Sequence, residues 1–261
     1  MNHLVIPLRS ASQRIPEKIY SKIQGRELIL RMADHALFLQ EEIIGLRCHL
    51  AVDSLRAQEI LKSYNQKISV HLTDPELPSG TDRVCEILKR LDSKDAAPND
   101  WIVNVQGDMP FLCRSSLALF INSLQKIPQA FTMATMAEPF RSIEDYRSAG
   151  VVKVILGSDQ QSLYFSRLPI PYGRMPLAEK VDDLIGLSHI GVYAYQAQTL
   201  LKLAALAPHK IELAEGLEQL RALAAGIQIY AWKANPNTGT DFRGIDLPSD
   251  LAWAQAFNSN L

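Results

Sequence analysis

The sequence predicts an α/β protein with a mostly parallel, doubly wound (Rossmann-like) sheet and a smaller antiparallel cap region. In the first half of the chain, short apolar runs alternate with amphipathic segments of about ten residues. Such alternation is typical of βαβ units, whose right-handed crossovers make neighbouring strands parallel. The second half has closely spaced strand-like segments and a proline-containing irregular stretch, which favour an antiparallel cap.

The composition of the 261 residues excludes several classes of protein. A hydrophobic content of 47% is too high for a disordered chain, and no apolar stretch reaches the roughly 18 residues of a membrane span. A net charge of -1 argues against a nucleic-acid partner and against a polybasic membrane anchor. We expect a cytoplasmic protein, because no signal peptide is recognisable and the three widely spaced cysteines indicate reduced thiols.

The first half is expected to contain four strands and four helices in alternation. Apolar runs predict strands at 3–8, 46–52, 68–72 and 101–105. Helical periodicity predicts helices at 27–40, 55–64, 81–91 and 115–124, the second of them starting after Asp53-Ser54. The loops 9–18 and 106–110 follow the first and fourth strands, so both leave the sheet at the edge where ligands bind in doubly wound folds.

The second half is less regular. Strands are predicted at 131–136, 151–156 and 162–166 with hairpin-like links, followed by an irregular segment at 169–187. A strand at 189–195, a long helix at 211–225, a strand at 227–232 and a helix at 248–257 complete the chain. Because no linker interrupts the sequence, we expect a single domain over 1–261, in which 128–261 inserts into or caps 1–127.

A basic loop follows the first strand. Arg9, Arg14 and Lys18 fall within ten residues of one another, together with Ser10 and Ser12. Guanidinium forks and an ammonium group suit a polyphosphate. From spacing alone, a loop whose cations face water is equally well supported, and the GxxxxGK[ST] pattern of a P-loop is absent.

Two acidic residues stand at positions suited to a metal ion. Asp108 follows the fourth predicted strand, where α/β phosphoryl-transfer enzymes hold Mg²⁺ with carboxylates and phosphates. Asp246 precedes the last predicted helix and could supply a second carboxylate. Each also fits a plain structural role, Asp108 as a turn former and Asp246 as a helix cap.

The residues Ser79, Gly80 and Thr81 open a helix in a compact loop. Free N–H groups at such a point could bind a base edge or a phosphate, although an ordinary helix cap explains Ser79 and Thr81 nearly as well. His189 lies on an alternating strand, where a structural role is the commoner one. Glu218 and Gln219 are expected in the middle of a helix, where one of them would face solvent.

Taken together, these segments resemble the family of 3-deoxy-manno-octulosonate cytidylyltransferases, also called CMP-Kdo synthetases. The matching segments run nearly from end to end in family order: IPLRSASQRIPEK, PSGTDR, NVQGDMP, SLYFSRLPIPY, HIGVYAY, LEQLR and GIDLPSDL. The combination of NVQGD, LYFSR and LEQLR is specific to this family among the sugar nucleotidyltransferases. The basic loop is shared by the larger group and discriminates less.

The resemblance implies a fold of the nucleotidyltransferase type and a defined reaction. CMP would pass from CTP to the anomeric hydroxyl of 3-deoxy-D-manno-octulosonate (Kdo), a 2-keto-3-deoxy sugar acid, for lipopolysaccharide assembly. Mg²⁺ would be the cofactor, and pyrophosphate would be the leaving group. The enzyme would form a homodimer. Residues 1–127 would form the nucleotide-binding half, and 128–261 the sugar-binding and dimer half with the C-terminal metal-site loop.

The resemblance also implies roles for individual residues. The implied catalytic residues are Lys18, Asp108 and Arg14. Residues implied to bind CTP are Arg9, Ser12, Arg14, Lys18, Ser79, Gly80, Thr81 and Gln106. Residues implied to bind the sugar acid are Gln106, Arg167, His189, Tyr193, Glu218 and Gln219. The implied metal ligands are Asp108 and Asp246.

Four departures from the family pattern leave alternatives open. Glu17 stands where the family has glycine, Met109 replaces a common glutamate and Gly150 a usual asparagine. The segment 237–247 is stretched, so that Asp241 competes with Asp246 as the second metal ligand. The alternatives are another 2-keto sugar acid, such as 8-amino-Kdo or a nonulosonic acid, and a nucleotide-binding homologue with weakened catalysis.

Overall fold

Nine strands form one sheet in the computed structural model, which describes residues 2–10, 14–91, 96–172, 180–235 and 243–257. In chain order the strands are β1 (Asn2–Leu8), β2 (Lys22–Ile23), β3 (Arg26–Glu27), β4 (Leu46–Val52), β5 (Ser69–Leu72), β6 (Trp101–Val105), β7 (Met133–Glu138), β8 (Lys153–Leu156), β9 (Ser162–Ser166), β10 (Leu187–Gln196) and β11 (Ile229–Lys233). The short β2 and β3 pair with each other outside this sheet.

Helices cover both faces of the sheet. They are α1 (Leu28–Glu42), α2 (Leu55–Tyr64), α3 (Gly80–Arg90), α4 (Arg114–Ser123), α5 (Ile143–Arg147), α6 (Ala197–Ala204), α7 (Lys210–Glu215), α8 (Gln219–Ala224) and α9 (Pro248–Ala256). Three short 3₁₀ turns lie at Lys18–Tyr20, Leu124–Lys126 and Val181–Asp183. Within the ranges that the structure describes, every helix is too short or too polar to cross a membrane.

The strand order across the sheet is β11-β7-β10-β6-β1-β4-β5. Strands β6, β1, β4 and β5 run parallel, as do β11 and β7, whereas β10 lies antiparallel between β6 and β7. Strands β8 and β9 extend from β10 as an antiparallel pair. The predicted fold class is therefore confirmed, with the second half of the chain contributing strands to the centre of the sheet.

Apolar side chains on the two faces of the sheet form two hydrophobic layers. On β1, Leu4, Ile6 and Leu8 face the layer built with α1, α2, α4 and α9. Val5 faces the opposite layer, built with α3, α6 and α8. Because alternate residues of a strand point to opposite faces, one buried strand supplies both layers and fixes the helices on either side of the ligand-binding edge.

Two predictions about the second half were wrong. The long helix expected at 211–225 is two short helices, because Gly216 adopts the left-handed conformation (φ 63°) that ends α7. Hairpin-like links were expected between three successive strands. Only β8 and β9 pair as neighbours in this way, since β7 pairs with β10 and β11 instead.

Three histidines, of which His3 and His49 are buried and His71 is half-buried, form a chain across β1, β4 and β5. His3 Nδ1 lies 3.1 Å from His49 Nε2, and His49 Nδ1 lies 3.0 Å from His71 Nε2. Burial lowers the pKa of His49 to about 3, and the neighbouring His71 contributes to the decrease. Burial also lowers the pKa of His71. At neutral pH, His49 and His71 are therefore uncharged.

This chain predicts a loss of stability in acid. The pKa of folded His49 lies below its unfolded value of about 6.5, so its contribution is complete above that pH and is lost as the pH falls toward 3. We expect the free energy of unfolding to fall by about 2 kcal/mol from His49 alone between pH 7 and pH 5. Urea denaturation at both pH values would measure it. His49→Asn should flatten the pH dependence, and an unchanged slope in His49→Asn would contradict the assignment.

Candidate active site

A two-lobed cleft opens at the carboxyl edge of the parallel strands, where β1 and β6 end. The smaller lobe has a volume of about 700 Å³ and the larger lobe about 1180 Å³. Among the residues that the structure describes, four line both lobes: Arg14, Gln106, Asp108 and Asp246. Ligands bound in the two lobes would therefore meet at these side chains, which we call the junction.

The turn Gln106-Gly107-Asp108 brings the end of β6 against the end of β1. A Cβ atom at Gly107 would collide with the Pro7 carbonyl oxygen and would lie 2.9 Å from Leu8 Cδ2. Only glycine permits this approach between the two backbones. The residues on either side of it, Gln106 and Asp108, both line the junction.

Lys18 and Asp108 form an ion pair at the junction. Lys18 Nζ donates to Asp108 Oδ2 at 2.7 Å and to the Ile245 carbonyl oxygen at 2.5 Å. The Ile245 amide donates to the Asp108 carbonyl oxygen at 2.9 Å. The structure thus joins the basic loop, the end of β6 and the segment before α9 at one point.

The charge on Asp108 is held in an unfavourable environment. Burial raises the pKa of Asp108, the Lys18 ammonium opposes this rise, and the carboxylate of Asp246 adds to it. The carboxylates of Asp108 and Asp246 therefore repel each other at the junction, and the Lys18 ammonium offsets part of this repulsion at Asp108. A further cation at this point would relieve the repulsion.

The start of the basic loop is anchored to the end of β4. Asp53 Oδ1 accepts hydrogen bonds from the Ser10 amide at 2.9 Å and from the Ser10 hydroxyl at 2.7 Å. Arg9 lines the smaller lobe, and its Nη1 donates to the Pro78 carbonyl oxygen at 3.4 Å. The anchor leaves the Arg9 guanidinium at the wall of the smaller lobe.

Three cations of the basic loop surround the smaller lobe. Arg9, Arg14 and Lys18 all line it. Ser12, which the resemblance assigns to the nucleotide, lies outside the described residues, as does the alternative metal ligand Asp241. The concentration of positive charge makes this lobe suited to a polyphosphate group.

Glu17 points away from the cleft. Its backbone is left-handed, with φ of 53°, and its Oε1 accepts a hydrogen bond from Arg56 Nη1 at 3.0 Å on the protein surface. The next residue, Lys18, points into the cleft and pairs with Asp108. The negative charge of Glu17 is thus neutralised outside the smaller lobe.

For CTP, the substrate that the resemblance implies, we expect Glu17→Gly to leave the KM within about twofold of the wild-type value, because the carboxylate does not face the cleft. The free energy of unfolding should rise by up to about 1 kcal/mol, since glycine adopts a positive φ without the steric cost. The surface ion pair that is lost is worth little. Steady-state kinetics and urea denaturation measure both, with Glu17→Gln as the control that removes the ion pair and keeps a side chain at this position. A tenfold fall in the KM for CTP would instead mean that Glu17 opposes nucleotide binding.

The residues at the start of α3 have different roles. Ser79 is the helix N-cap, and its hydroxyl accepts a hydrogen bond from the Asp82 amide at 3.1 Å. Gly80 lines the smaller lobe, where a Cβ atom would lie 3.4 Å from Gln106 Oε1. Thr81 lines the larger lobe. Of these three, Gly80 is therefore the one that borders the smaller lobe.

Arg167 lines the larger lobe and is fixed by backbone carbonyl groups. Its Nε donates to the Glu215 carbonyl oxygen at 2.9 Å, its Nη1 to Ala149 at 3.1 Å and its Nη2 to Gly216 at 3.4 Å. Its own amide donates to Glu215 Oε2 at 2.9 Å. These contacts hold the guanidinium without neutralising its charge, which leaves it able to attract an anion.

His189 lines the same lobe as a neutral imidazole. The Thr135 hydroxyl donates to the Val192 carbonyl oxygen at 2.8 Å, so the Thr135 oxygen accepts a hydrogen bond from the Nε2–H group of His189 at 2.9 Å. His189 Nδ1 then carries a lone pair that can accept a hydrogen bond. Burial lowers the pKa of His189 to about 3, which keeps this tautomer uncharged at neutral pH.

A polar cluster forms the floor of the larger lobe. The rings of Tyr193 and Tyr195 stack with centroids 6.0 Å apart, and burial raises the pKa of Tyr193. Burial also raises the pKa of Glu218, and a hydrogen bond from the Thr81 hydroxyl opposes this rise. Gln219 is buried, and its Nε2 makes no hydrogen bond to any described residue. These groups offer several hydrogen bonds to a polyhydroxylated ligand.

Among the residues that the sequence did not single out are Tyr195, which lines the larger lobe, and Asp53, which anchors the basic loop. Tyr195 lies two positions after Tyr193 on β10, so the alternation of a strand could have placed both on one face. Asp53 follows β4 at the same edge of the sheet at which Asp108 follows β6. Its position was interpreted only as a helix start, because the hydrogen bonds to Ser10 join segments that are distant in sequence.

Comparisons with known proteins show which family the chain is similar to over most of its length. The family model described as cytidylyltransferase matches residues 4–229. The 3-deoxy-manno-octulosonate cytidylyltransferase 2 of Paraburkholderia phytofirmans is 34% identical over 241 residues, which are 92% of this chain and 89% of the relative. The 3-deoxy-manno-octulosonate cytidylyltransferase of Psychromonas ingrahamii is 36% identical over 255 residues, covering 95% of both chains.

Solved structures extend the comparison to the fold. The structure of a CMP:2-keto-3-deoxy-manno-octonic acid synthetase complexed with CTP superposes with a TM-score of 0.83 at 29% identity, covering 98% of both chains. A 4-diphosphocytidyl-2C-methyl-D-erythritol synthase, at a TM-score of 0.58 and 13% identity, shares the fold alone. The resemblance noted in the sequence is confirmed: the chain belongs to the cytidylyltransferase family, together with the 3-deoxy-manno-octulosonate cytidylyltransferases that are its relatives.

Proposed function

We propose that this enzyme transfers CMP from CTP to the anomeric hydroxyl of Kdo, releasing pyrophosphate, and that the product serves lipopolysaccharide assembly. The observation that carries the proposal is the two-lobed cleft, in which a cation-lined smaller lobe meets a polar larger lobe at the junction, beside the ion pair of Lys18 and Asp108. A phosphoryl donor and a sugar acceptor each need such a compartment. The named relatives supply the identity of the two substrates.

In this proposal the smaller lobe holds the nucleotide. Arg9, Arg14 and Lys18 neutralise the triphosphate, and Gly80 borders the nucleoside. The α-phosphate lies at the junction, where the sugar hydroxyl reaches it from the larger lobe. In-line displacement at phosphorus depends on alignment and neutralised charge more than on a covalent nucleophile, and the residues at the junction provide both.

The larger lobe holds the sugar acid. The guanidinium of Arg167 faces the carboxylate, for which a forked pair of N–H donors is the strongest partner. The lone pair of His189 Nδ1 accepts a hydrogen bond from a sugar hydroxyl, as Glu218 does, while Tyr193 and Gln219 can also donate. Gln106 lies at the junction, within reach of both substrates.

Asp108 and Asp246 would hold a magnesium ion. They fit it because Asp246 raises the pKa of Asp108, a repulsion that a divalent cation would relieve. The described residues include no cluster of three or more potential ligands; Mg²⁺ commonly uses one or two carboxylates and completes its shell with substrate phosphates and water. When bound, the ion would neutralise charge on the triphosphate.

We further propose that the enzyme is a cytoplasmic homodimer, with the contact made by segments after residue 160. Exposed apolar side chains there include Leu163, Leu168, Ile185 and Leu213. Sedimentation equilibrium should give twice the mass of the chain. A monomer at micromolar concentration would reject the assembly without affecting the proposed reaction.

Pyrophosphate release with CTP and Mg²⁺ tests the proposed reaction. Kdo, 8-amino-Kdo and N-acetylneuraminate are compared as acceptors, and we expect turnover with Kdo. Turnover with 8-amino-Kdo or N-acetylneuraminate alone would move the assignment to that sugar acid. No turnover with any of them, alongside measurable CTP binding, would overturn the proposal in favour of a catalytically weakened homologue.

A further inference from the structure

Lys153 is a fully buried cation beside the larger lobe. It lies on β8 with 0% of its surface exposed. Its Nζ donates to three backbone carbonyl oxygens, those of Ser148 at 2.6 Å, Val151 at 2.7 Å and Arg167 at 2.7 Å. An ammonium group has three protons, so all of its donors are used.

The three acceptors belong to two segments that border the larger lobe. Ser148 and Val151 lie in the loop between α5 and β8, and residues 148–152 line the lobe. The third acceptor is the carbonyl group of Arg167, whose own Nη1 donates to Ala149 in the same loop. Lys153 and Arg167 therefore both donate hydrogen bonds to the same loop, and Lys153 also donates to Arg167.

A buried ammonium group is costly to place in a protein interior. Burial lowers the pKa of Lys153, as does the neighbouring Arg167, and the carboxylate of Glu215 acts in the opposite direction. An apolar side chain of similar length would avoid this cost, but it could not tie the loop to Arg167. The contacts of Lys153 thus fix the positions of two segments that form the wall of the larger lobe.

We propose that Lys153 is a positioning residue for acceptor binding: it fixes the loop 148–152 and the backbone of Arg167 as one rigid unit, which places the Arg167 guanidinium for the carboxylate of the sugar acid. This inference rests on the proposed function of the larger lobe and extends it to a residue that does not contact the substrate. Lys153 acts through Arg167 and has no contact with the smaller lobe.

The test compares Lys153→Met with the wild type and with Lys62→Met, which replaces an exposed lysine of α2. We expect Lys153→Met to raise the KM for Kdo at least about tenfold, because hydrogen bonds from a charged donor are lost. The KM for CTP should stay within about twofold. Amide hydrogen exchange at 148–152 should accelerate in Lys153→Met without ligands and remain unchanged in Lys62→Met.

A double-mutant cycle separates positioning from general structural damage. If Lys153 acts through Arg167, Lys153→Met should add no further increase to the KM for Kdo in an Arg167→Ala background. Equal increases in both KM values, additive effects in the cycle, or no change in folded Lys153→Met would overturn the proposal. Lys153→Gln, which keeps two N–H donors, replaces Lys153→Met if that variant does not fold. Failure of both to fold would also reject the positioning role, since Lys153 would then be a requirement of the core.

Different measurements test the proposed reaction and the role of Lys153, so that one can be rejected without the other. A wild-type enzyme that releases no pyrophosphate with Kdo rejects the proposed reaction. Unchanged hydrogen exchange at 148–152 in Lys153→Met rejects the positioning role whatever the reaction is. A positive outcome in both arms establishes a residue that controls acceptor affinity from behind the lobe wall.

Discussion

Replacing Asp108 with asparagine is expected to lower kcat for pyrophosphate release by about 10²- to 10³-fold. The substitution removes the negative charge at the junction, where Lys18 Nζ lies 2.7 Å from Asp108 Oδ2 and where we propose that Mg²⁺ binds. The pKa of Asp108 is raised by burial, so its ionised form is disfavoured in the folded protein. The melting temperature of Asp108→Asn should therefore stay equal or increase.

The matched control for this prediction is Asp159→Asn, which neutralises an exposed carboxylate between β8 and β9. Its kcat and melting temperature should equal those of the wild type. Pyrophosphate release at saturating CTP and Kdo, with a Mg²⁺ titration, measures the catalytic effect. A kcat of Asp108→Asn within tenfold of the wild type would remove Asp108 from the proposed metal site. A large fall in melting temperature would mean that the lost activity reflects a damaged fold.

Arg167→Ala is expected to raise the KM for Kdo by roughly 10- to 100-fold, because a hydrogen-bonded charge opposite the carboxylate is lost. The KM for CTP should remain within a few fold, since Arg167 lines the larger lobe and not the smaller one. Arg167→Lys should give an intermediate effect, because it keeps the charge and loses the fork.

The exposed Arg147→Ala on α5 serves as the control for a change in overall charge. Its two KM values should match those of the wild type. A selective increase in the KM for CTP in Arg167→Ala would place this residue with the nucleotide and exchange the roles proposed for the lobes. Fluorescence titration of CTP in the absence of Kdo would distinguish that case from an altered binding order.

The elements of the first half could be predicted well from the sequence, because their signals are local. The boundaries predicted for β4, α2 and β6 match the structure. In α2 the start is set by Ser54, whose hydroxyl accepts a hydrogen bond from the Ala57 amide at 3.3 Å. Buried strands such as β6 are continuous apolar runs bounded by polar turns, which a single sequence displays plainly.

The arrangement of the second half could not be predicted in the same way, because it depends on contacts between distant segments. No local pattern indicates that β10 pairs with both β6 and β7. The break at Gly216 was missed because Leu217 and Leu220 continue an apolar pattern compatible with one long helix. As a consequence Glu218 was expected in a helix middle, whereas it precedes α8 and faces the larger lobe.

The same difference separates the candidate site residues: some are marked by a local sequence pattern, and others are not. Asp108 and the cations of the basic loop were identified, because they directly follow apolar strands and the geometry of a parallel sheet brings such positions together. The functions implied for Arg167 and His189 came from the resemblance, since neither position has a local pattern that marks it. Lys153 was not singled out at all, because a lysine in a strand gives no sign that its ammonium group is enclosed by carbonyl oxygens.

The insertion of β10 beside β6 has a consequence for synthesis of the chain on the ribosome. Strand β6 ends at Val105, and the strand that covers its free edge begins at Leu187, about 80 residues later. At roughly 5 to 20 residues per second, the nascent chain would present an unpaired, apolar strand edge for about 4 to 16 seconds. Such edges are templates for pairing with other chains. A chaperone that binds the nascent chain on the ribosome should therefore increase the yield of soluble enzyme. Its effect should exceed that of chaperones that act after the chain has left the ribosome.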